Sequence, residues 1–337
     1  MADIFGTPLD QAILRVGCLE QVARVDRFVE DDGPARGARR FRVVNGGGLD
    51  FDVHPDRGLD IGAASINGVP LAWLSATGIT RPDAYEPEGR GWLRTFGGGL
   101  VTTCGLDSFG PPVEDEDGVV GMHGRIGSIP ARVTEVTVTP ELITVAGEVR
   151  QASVFHENLV MRRRITSRVG SAAFTIHDTI TNEGAETSPH MVLYHVNLGW
   201  PMLDAGAVID IPAASVTPRD TDAIEGFEAR SEIDEPQVGF REQVFIHEAA
   251  PSATGDARIA RVTNAARGLT FTLTYSETLP ALFQWKMTAT KHFVLGLEPA
   301  NTSEIQGRAS ARANGRLPRL APGESRSYSI AIEVTAV

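Results

Sequence analysis

Moving a proton on a small molecule takes a carboxyl and an imidazole in a place that water largely leaves alone, and four stretches of this sequence carry such groups. The run Val294-Leu295-Gly296-Leu297-Glu298-Pro299-Ala300-Asn301 ends an apolar strand on a carboxylate. Desolvation raises the proton affinity of a carboxylate so placed, which suits Glu298 to general-base work near neutral pH. Between Pro189 and Pro201, period-two alternation puts Leu193, His195 and Asn197 on one face of a strand, with His190 and Tyr194 on the other. Gly121-Met122-His123-Gly124 sets another imidazole among glycines, where backbone can bend and approach a ligand closely. Phe283-Gln284-Trp285-Lys286-Met287 adds an amide, an indole and an ammonium. Gln284 and Lys286 share one strand face and Trp285 takes the other, so the three do not line one cleft together; Gln284 and Lys286 are the expected lining.

Each of these groups also has a structural role open to it. A strand histidine commonly serves as a hydrogen-bonded core residue, and Glu298 can bond backbone at a strand end. His54, His156, His177, His247 and His292 lack any supporting context and are read as structural. Cys18 and Cys104 make neither a disulfide framework nor the spacing of a zinc site, and no HxH or HxxE pair marks a metal. No metal and no cofactor are expected.

The elements that must hold these side chains read as strands. Short runs rich in Val, Ile, Thr and Phe, such as 131–139, 142–150, 160–169, 172–181, 190–198 and 293–298, are bounded by Gly, Pro, Asn and Asp. Turns fall at Asn67-Gly68, Glu183-Gly184, Arg267-Gly268 and Pro322-Gly323. The one helical signal covers 9–16 and stops at Gly17. A dozen or more strands at this spacing predict an all-β, antiparallel sandwich. It would form one domain over 1–337, with 1–39 a leading segment that carries the helix. In Phe174–Thr181 the apolar residues share one face, with Asp178 the exception. Arg162-Arg163-Arg164 is expected to be a solvated face. Residues 111–118 read as a loop that can cover a cleft, and 220–236 as a second long connection.

The sequence has 337 residues and 31 Lys+Arg against 43 Asp+Glu, for a formal charge of −12. A hydrophobic share of 42% excludes wholesale disorder. The negative balance argues against nucleic acid and anionic membrane as partners. No apolar run reaches the roughly 18 residues that a membrane helix needs, and the first residues carry no secretory pattern. The expectation is a soluble, cytoplasmic protein. An edge strand of so large a sheet offers a route to a homodimer.

Together His123, the strand histidine before Asn197-Leu198, and the late Glu298 resemble the aldose 1-epimerase (galactose mutarotase) superfamily. Within it the sequence is most similar to the uncharacterised bacterial aldose-1-epimerase-like branch, DUF4432. The likeness rests on Arg57-Gly58-Leu59-Asp60-Ile61, on Gly97 to Leu106, on Pro189 to Pro201 and on Gln284 to Asn301. It runs from about residue 40 to the C-terminus. The resemblance implies a super-sandwich of antiparallel sheets with an open sugar cleft and no cofactor. It also implies that Glu298 takes the proton of the anomeric hydroxyl, that His195 protonates the ring oxygen, and that His123 binds beside them. Arg57, Asp60, Arg94, Asn197, Gln284 and Lys286 become candidates for sugar hydroxyls, with a structural ion pair the other reading of Arg57 and Asp60. In better-studied mutarotases the strand histidine stands four residues before the Asn-Leu pair, where this chain has Leu193; His195, two residues on, keeps the same face. Two other functions share the groups: another proton-transfer isomerase or lyase acting on a keto sugar, and a non-catalytic carbohydrate-binding protein.

Overall fold

The computed structural model describes residues 3–249 and 257–337. Two large antiparallel sheets make up most of it. The back sheet has eight strands in the order Arg132–Val138, Leu142–Ala152, Asn158–Arg168, Ala173–Asn182, Ser325–Ala336, Leu269–Tyr275, Arg258–Asn264 and Val208–Asp210. The site sheet runs Ser215–Pro218, Gln243–Glu248, Ala281–Ala289, His292–Ala300, Met191–Gly199, Val101–Leu106, Asp60–Ile66, Leu49–His54, Arg39–Val44 and Arg24–Val29. Val69–Pro70 pairs off this path with Asp60–Ile66. The all-β, antiparallel sandwich expected from the sequence is the fold observed.

The strands alternate because each large sheet must bury one face against the other. That shared core runs from Ile4 to Val334, and within it the Phe51 and Phe174 rings lie 4.6 Å apart. The exception noted at Asp178 has a partner: Arg163 donates to both its carboxylate oxygens at 2.9 and 2.6 Å, and Tyr194 Oη donates at 2.7 Å. Arg163 is therefore not part of a solvated face. Arg162 and Arg164 point outward to Glu183 and Glu135, while the Arg163 side chain is fully buried, as strand alternation requires.

Helix is sparse. The first is Leu9–Ile13, shorter than the sequence suggested. Thr221–Glu225 breaks the long 220–236 connection, with Asp220 accepting from the Ala223 amide at its N-cap. Arg308–Ala313 follows the Glu298 strand. The 111–118 loop forms a small hairpin, Val113–Asp115 with Gly118–Val120. Arg308 grips it through Asp115 at 2.7 Å and the Gly118 carbonyl at 3.0 Å, and Arg312 pairs with Asp117.

Candidate functional site

The site sheet has a second face, turned away from the main core, and a smaller apolar cluster covers it. Trp92, Phe96, Cys104, Phe109, Leu193 and Phe283 belong to this cluster, with Trp73, Tyr85 and Trp285 packed on its edge. Register decides what faces it. Asn197 lies opposite Gly296, Gly296 opposite Trp285, and Glu298 opposite Phe283. On the other flank, Thr102 lies opposite His195 and Cys104 opposite Leu193. Paired residues share a face, so His195, Asn197, Glu298 and Trp285 all point to the same side.

His195 Nε2 and Glu298 Oε1 are 3.3 Å apart, and both side chains are almost wholly buried. The alignment falls short of a hydrogen bond: Glu298 Oε1 is buried with no donor, as is His195 Nδ1 with no partner. Burial pushes the Glu298 carboxyl well above its ordinary range; the nearby Glu242 charge adds to this, and Arg219 opposes it. Burial drives His195 down to about 3, helped by the neighbouring His123, with Asn197 pulling the other way. Both shifts have the same first cause, since burial favours the uncharged carboxyl and the uncharged imidazole.

Two features aim these groups. A Cβ built on Gly296 would stand 2.4 Å from Glu298 Oε1 and 3.0 Å from Trp285 Cβ, so the bare glycine gives both side chains their room. His123 sits in the left-handed region at φ 58°, held by its own amide to Gly110 O at 2.9 Å and by its carbonyl, which accepts from Gly105 N at 3.0 Å. Gly124 beside it is obligatory, because a Cβ there would meet Gly105 O at 2.5 Å. The Gly110 amide also makes a long bond, 3.5 Å, to His123 Nδ1. A neutral imidazole that accepts at Nδ1 carries its proton on Nε2, and burial keeps His123 neutral by lowering it to about 4.

Aromatic rings wall the pair. His195 has Phe96 at 5.2 Å, Trp285 edge-on at 5.3 Å, His123 at 5.9 Å and Trp92 at 6.4 Å between ring centres. Trp73 meets Trp285 edge-on at 6.1 Å, and its backbone is pinned to the strand by Asn197 O at 3.0 Å. Three of the chain's four tryptophans thus converge here. Trp73, Trp92 and Phe96 were not singled out in the sequence, where they lie far from Glu298; the rarity of tryptophan was the only signal available.

Among the other site candidates, Asn197 is in place: its Nδ2 donates to Gly99 O and His195 O at 2.9 Å, and its buried Oδ1 is unpartnered. Gln284 and Lys286 are corrected. They face the opposite side of the sheet, where Lys286 Nζ donates to Ala229 O and Glu232 O, and Gln284 bonds Arg230 O and His247. The 220–236 connection covers them, and the face with Glu298 belongs to Trp285. Asp60 also leaves the sugar set: it accepts from Thr103 and Arg163 inside the main core. Its ion-pair partner is Arg163, since Arg57 donates instead to Thr80 Oγ1 and Thr95 O, both at 3.1 Å. Arg94 is exposed and paired with Glu86. Among the described residues no cluster of three or more His, Cys, Asp or Glu side chains is arranged to hold a metal.

Residues 35–334 match the profile of a domain of unknown function, DUF4432. The chain belongs to the DUF4432 family. No curated protein matches this DUF4432 chain. Among solved structures it is similar to a candidate aldose 1-epimerase from Klebsiella pneumoniae, 25% identical, with a TM-score of 0.87 over 96% of this chain and 86% of that one. A galactose mutarotase-like protein from Clostridium acetobutylicum gives 0.69 at 14% identity, over 94% of this chain and 100% of that one. Galactose 1-epimerase from Lactobacillus acidophilus gives 0.57 at 13%, over 93% and 99%. The last two likenesses concern the fold alone. Among the described residues no helix is long and apolar enough to cross a membrane.

Proposed function

We propose that this DUF4432 protein, acting as one domain, is an aldose 1-epimerase-like enzyme that interconverts the anomers of an uncharged sugar without a cofactor. One observation carries this reading. A carboxyl and an imidazole 3.3 Å apart, buried together under an aromatic wall, leave one carboxyl oxygen without a donor. The anomeric hydroxyl supplies that donor. Its hydrogen bond to Glu298 Oε1 favours the carboxylate, and the displaced proton passes across the contact to His195 Nε2. Glu298 then removes the hydroxyl proton while His195 protonates the ring oxygen. The C1–O5 bond breaks, the C1–C2 bond rotates, and closure returns both protons and gives the other anomer. Each group must both accept and donate within one cycle, and a pair that shares a single proton does so. His123 offers Nε2–H as a donor to a sugar hydroxyl, and Asn197 Oδ1 an acceptor.

The sugar is read as uncharged because the cations considered for it are engaged elsewhere: Arg57 with Thr80 and Thr95, Arg94 with Glu86, and Lys286 on the far face. Saturation-transfer NMR across free aldoses and their 6-phosphates tests the proposal. Faster α/β exchange for an unphosphorylated aldose, lost in Glu298→Gln, is the expected result. Solvent deuterium entering a carbon position would instead assign a keto-sugar isomerase or lyase. Sugar contact without faster exchange would assign a binding protein.

A further inference from the structure

We propose that Glu242 is a positioning residue for the acid/base pair, holding the Trp285 indole edge-on against His195 and placing a negative charge beside Glu298. The proposal rests on the reading of Glu298 and His195 as that pair. Glu242 lies just before the strand Gln243–Glu248, half-exposed at the rim of the site. Its Oε2 accepts from Trp285 Nε1 at 3.0 Å, and its Oε1 from Arg219 Nη2 at 3.1 Å. Arg219 is fixed in turn: Nε donates to Asp220 Oδ2 at 2.7 Å, and its backbone amide to Val244 O at 2.9 Å. Asp220 caps the helix Thr221–Glu225. A connected line therefore runs from that helix through Asp220, Arg219 and Glu242 to the indole, and ends on the His195 ring 5.3 Å away.

An exposed ion pair by itself contributes little. Here the Glu242–Arg219 pair is tied to a ring that packs against the acid/base pair. Trp285 and Glu298 share the space over Gly296, where an added Cβ would stand 2.4 Å from Glu298 Oε1 and 3.0 Å from Trp285 Cβ, so a shift of the indole changes its fit against both the carboxyl and the imidazole. The same anchor has an electrostatic consequence. The groups facing Glu298 are His195 on the adjacent strand, with His123 behind it, Cys104 one strand further, and Glu242 and Arg219 at the rim. Of these Glu242 is the acid that raises Glu298's hold on its proton, and Arg219 the cation that lowers it. Holding Arg219 on Glu242 and Asp220 also occupies its guanidinium, so it is not free to draw an anionic substrate.

Glu242→Gln keeps an acceptor for the indole and removes the charge; Glu242→Ala removes both. Three readouts follow each variant: the Trp285 indole resonance, assigned with Trp285→Phe; the carboxyl-carbon titration of Glu298 in the free protein; and KM against kcat on the aldose that the parent turns over. The expected result is that Glu242→Gln keeps the indole resonance and KM while the Glu298 midpoint, and the matching limb of the pH profile, move to lower pH. Glu242→Ala should also displace the indole resonance and raise KM about threefold or more, with kcat changed less. Parent-like KM and Glu298 titration in both variants overturn the proposal, whatever the indole does. A parent that turns over no aldose defeats the acid/base reading instead. The ligand-free titration then decides for Glu242 alone: an unmoved midpoint in Glu242→Gln overturns its role, and a lowered one upholds it.

Discussion

Glu298→Gln should remove activity and, at neutral pH, make the protein more stable. The carboxyl is buried, its Oε1 has no donor, and burial raises its proton affinity well above normal. In the unfolded chain a glutamate titrates near pH ~4.3. Below that pH both states hold the proton and Glu298 has no effect on stability. Above it the unfolded chain releases the proton while the folded one retains it. Stability is therefore lost as pH rises, by about 1.4 kcal/mol per pH unit, until the raised folded value is reached. Glutamine does not titrate, so its advantage over the parent widens at that rate. At an unfolding entropy of roughly 2.1 cal/mol/K per residue, each pH unit opens a Tm gap of about 2 °C for a chain of 337 residues.

Thermal unfolding by circular dichroism of both proteins at pH 5, 6, 7 and 8, with scan rates matched, measures the gap. Loss of the proton-transfer group should lower kcat by about 10²–10⁴ in the same variant. A gap that stays constant from pH 5 to 8 would mean that Glu298 titrates as an ordinary surface carboxylate, and the account of the site fails.

His54, His123, His190 and His247 are held near 4 and His195 near 3 by burial, against about 6.5 unfolded. Their contribution is complete above pH ~6.5 and lost on acidification, outnumbering the opposite trend of Glu298, Asp60 and Asp107; His190→Gln should flatten the pH dependence of the unfolding free energy, measured by urea titration, by about 1.4 kcal/mol per pH unit, and an unchanged slope would refute this. Arg163→Met should cost about 3–5 kcal/mol in denaturant titration by stranding Asp178 and Asp60, while Arg162→Met, on the exposed face, should cost under about 1 kcal/mol; equal losses would contradict the burial pattern. Gly296→Ala should reduce kcat about tenfold to hundredfold with circular dichroism unchanged, since the new methyl stands 2.4 Å from Glu298 Oε1. Lys286→Met should leave KM within about twofold, because Nζ bonds Ala229 O and Glu232 O behind the sheet; a large rise in KM would put it back in the sugar site.

What the sequence disclosed and what it withheld follow from strand geometry. A period of two orders side chains along one strand, so Leu193, His195 and Asn197 were placed together correctly, and Trp285 was set opposite to Gln284 and Lys286. Period alone does not say which of two faces meets the neighbouring strand's catalytic group. That depends on register: Glu298 pairs with Phe283, not with Gln284, and this one-residue choice gives the site to Trp285. Charged residues misled for a related reason. Arg163 reads as part of a solvated face and Asp178 as the exception on an apolar one, yet each compensates the other across a register pair inside the core. Asp60 joins them from the other sheet, a contact 103 positions away along the chain. The aromatic wall was invisible because Trp73, Trp92 and Phe96 reach the pair from irregular segments without periodicity. Glu298 and His195 were legible because their strands had to bury them; the groups that tune them, such as Glu242 through Trp285, act across tertiary contacts that no local pattern encodes.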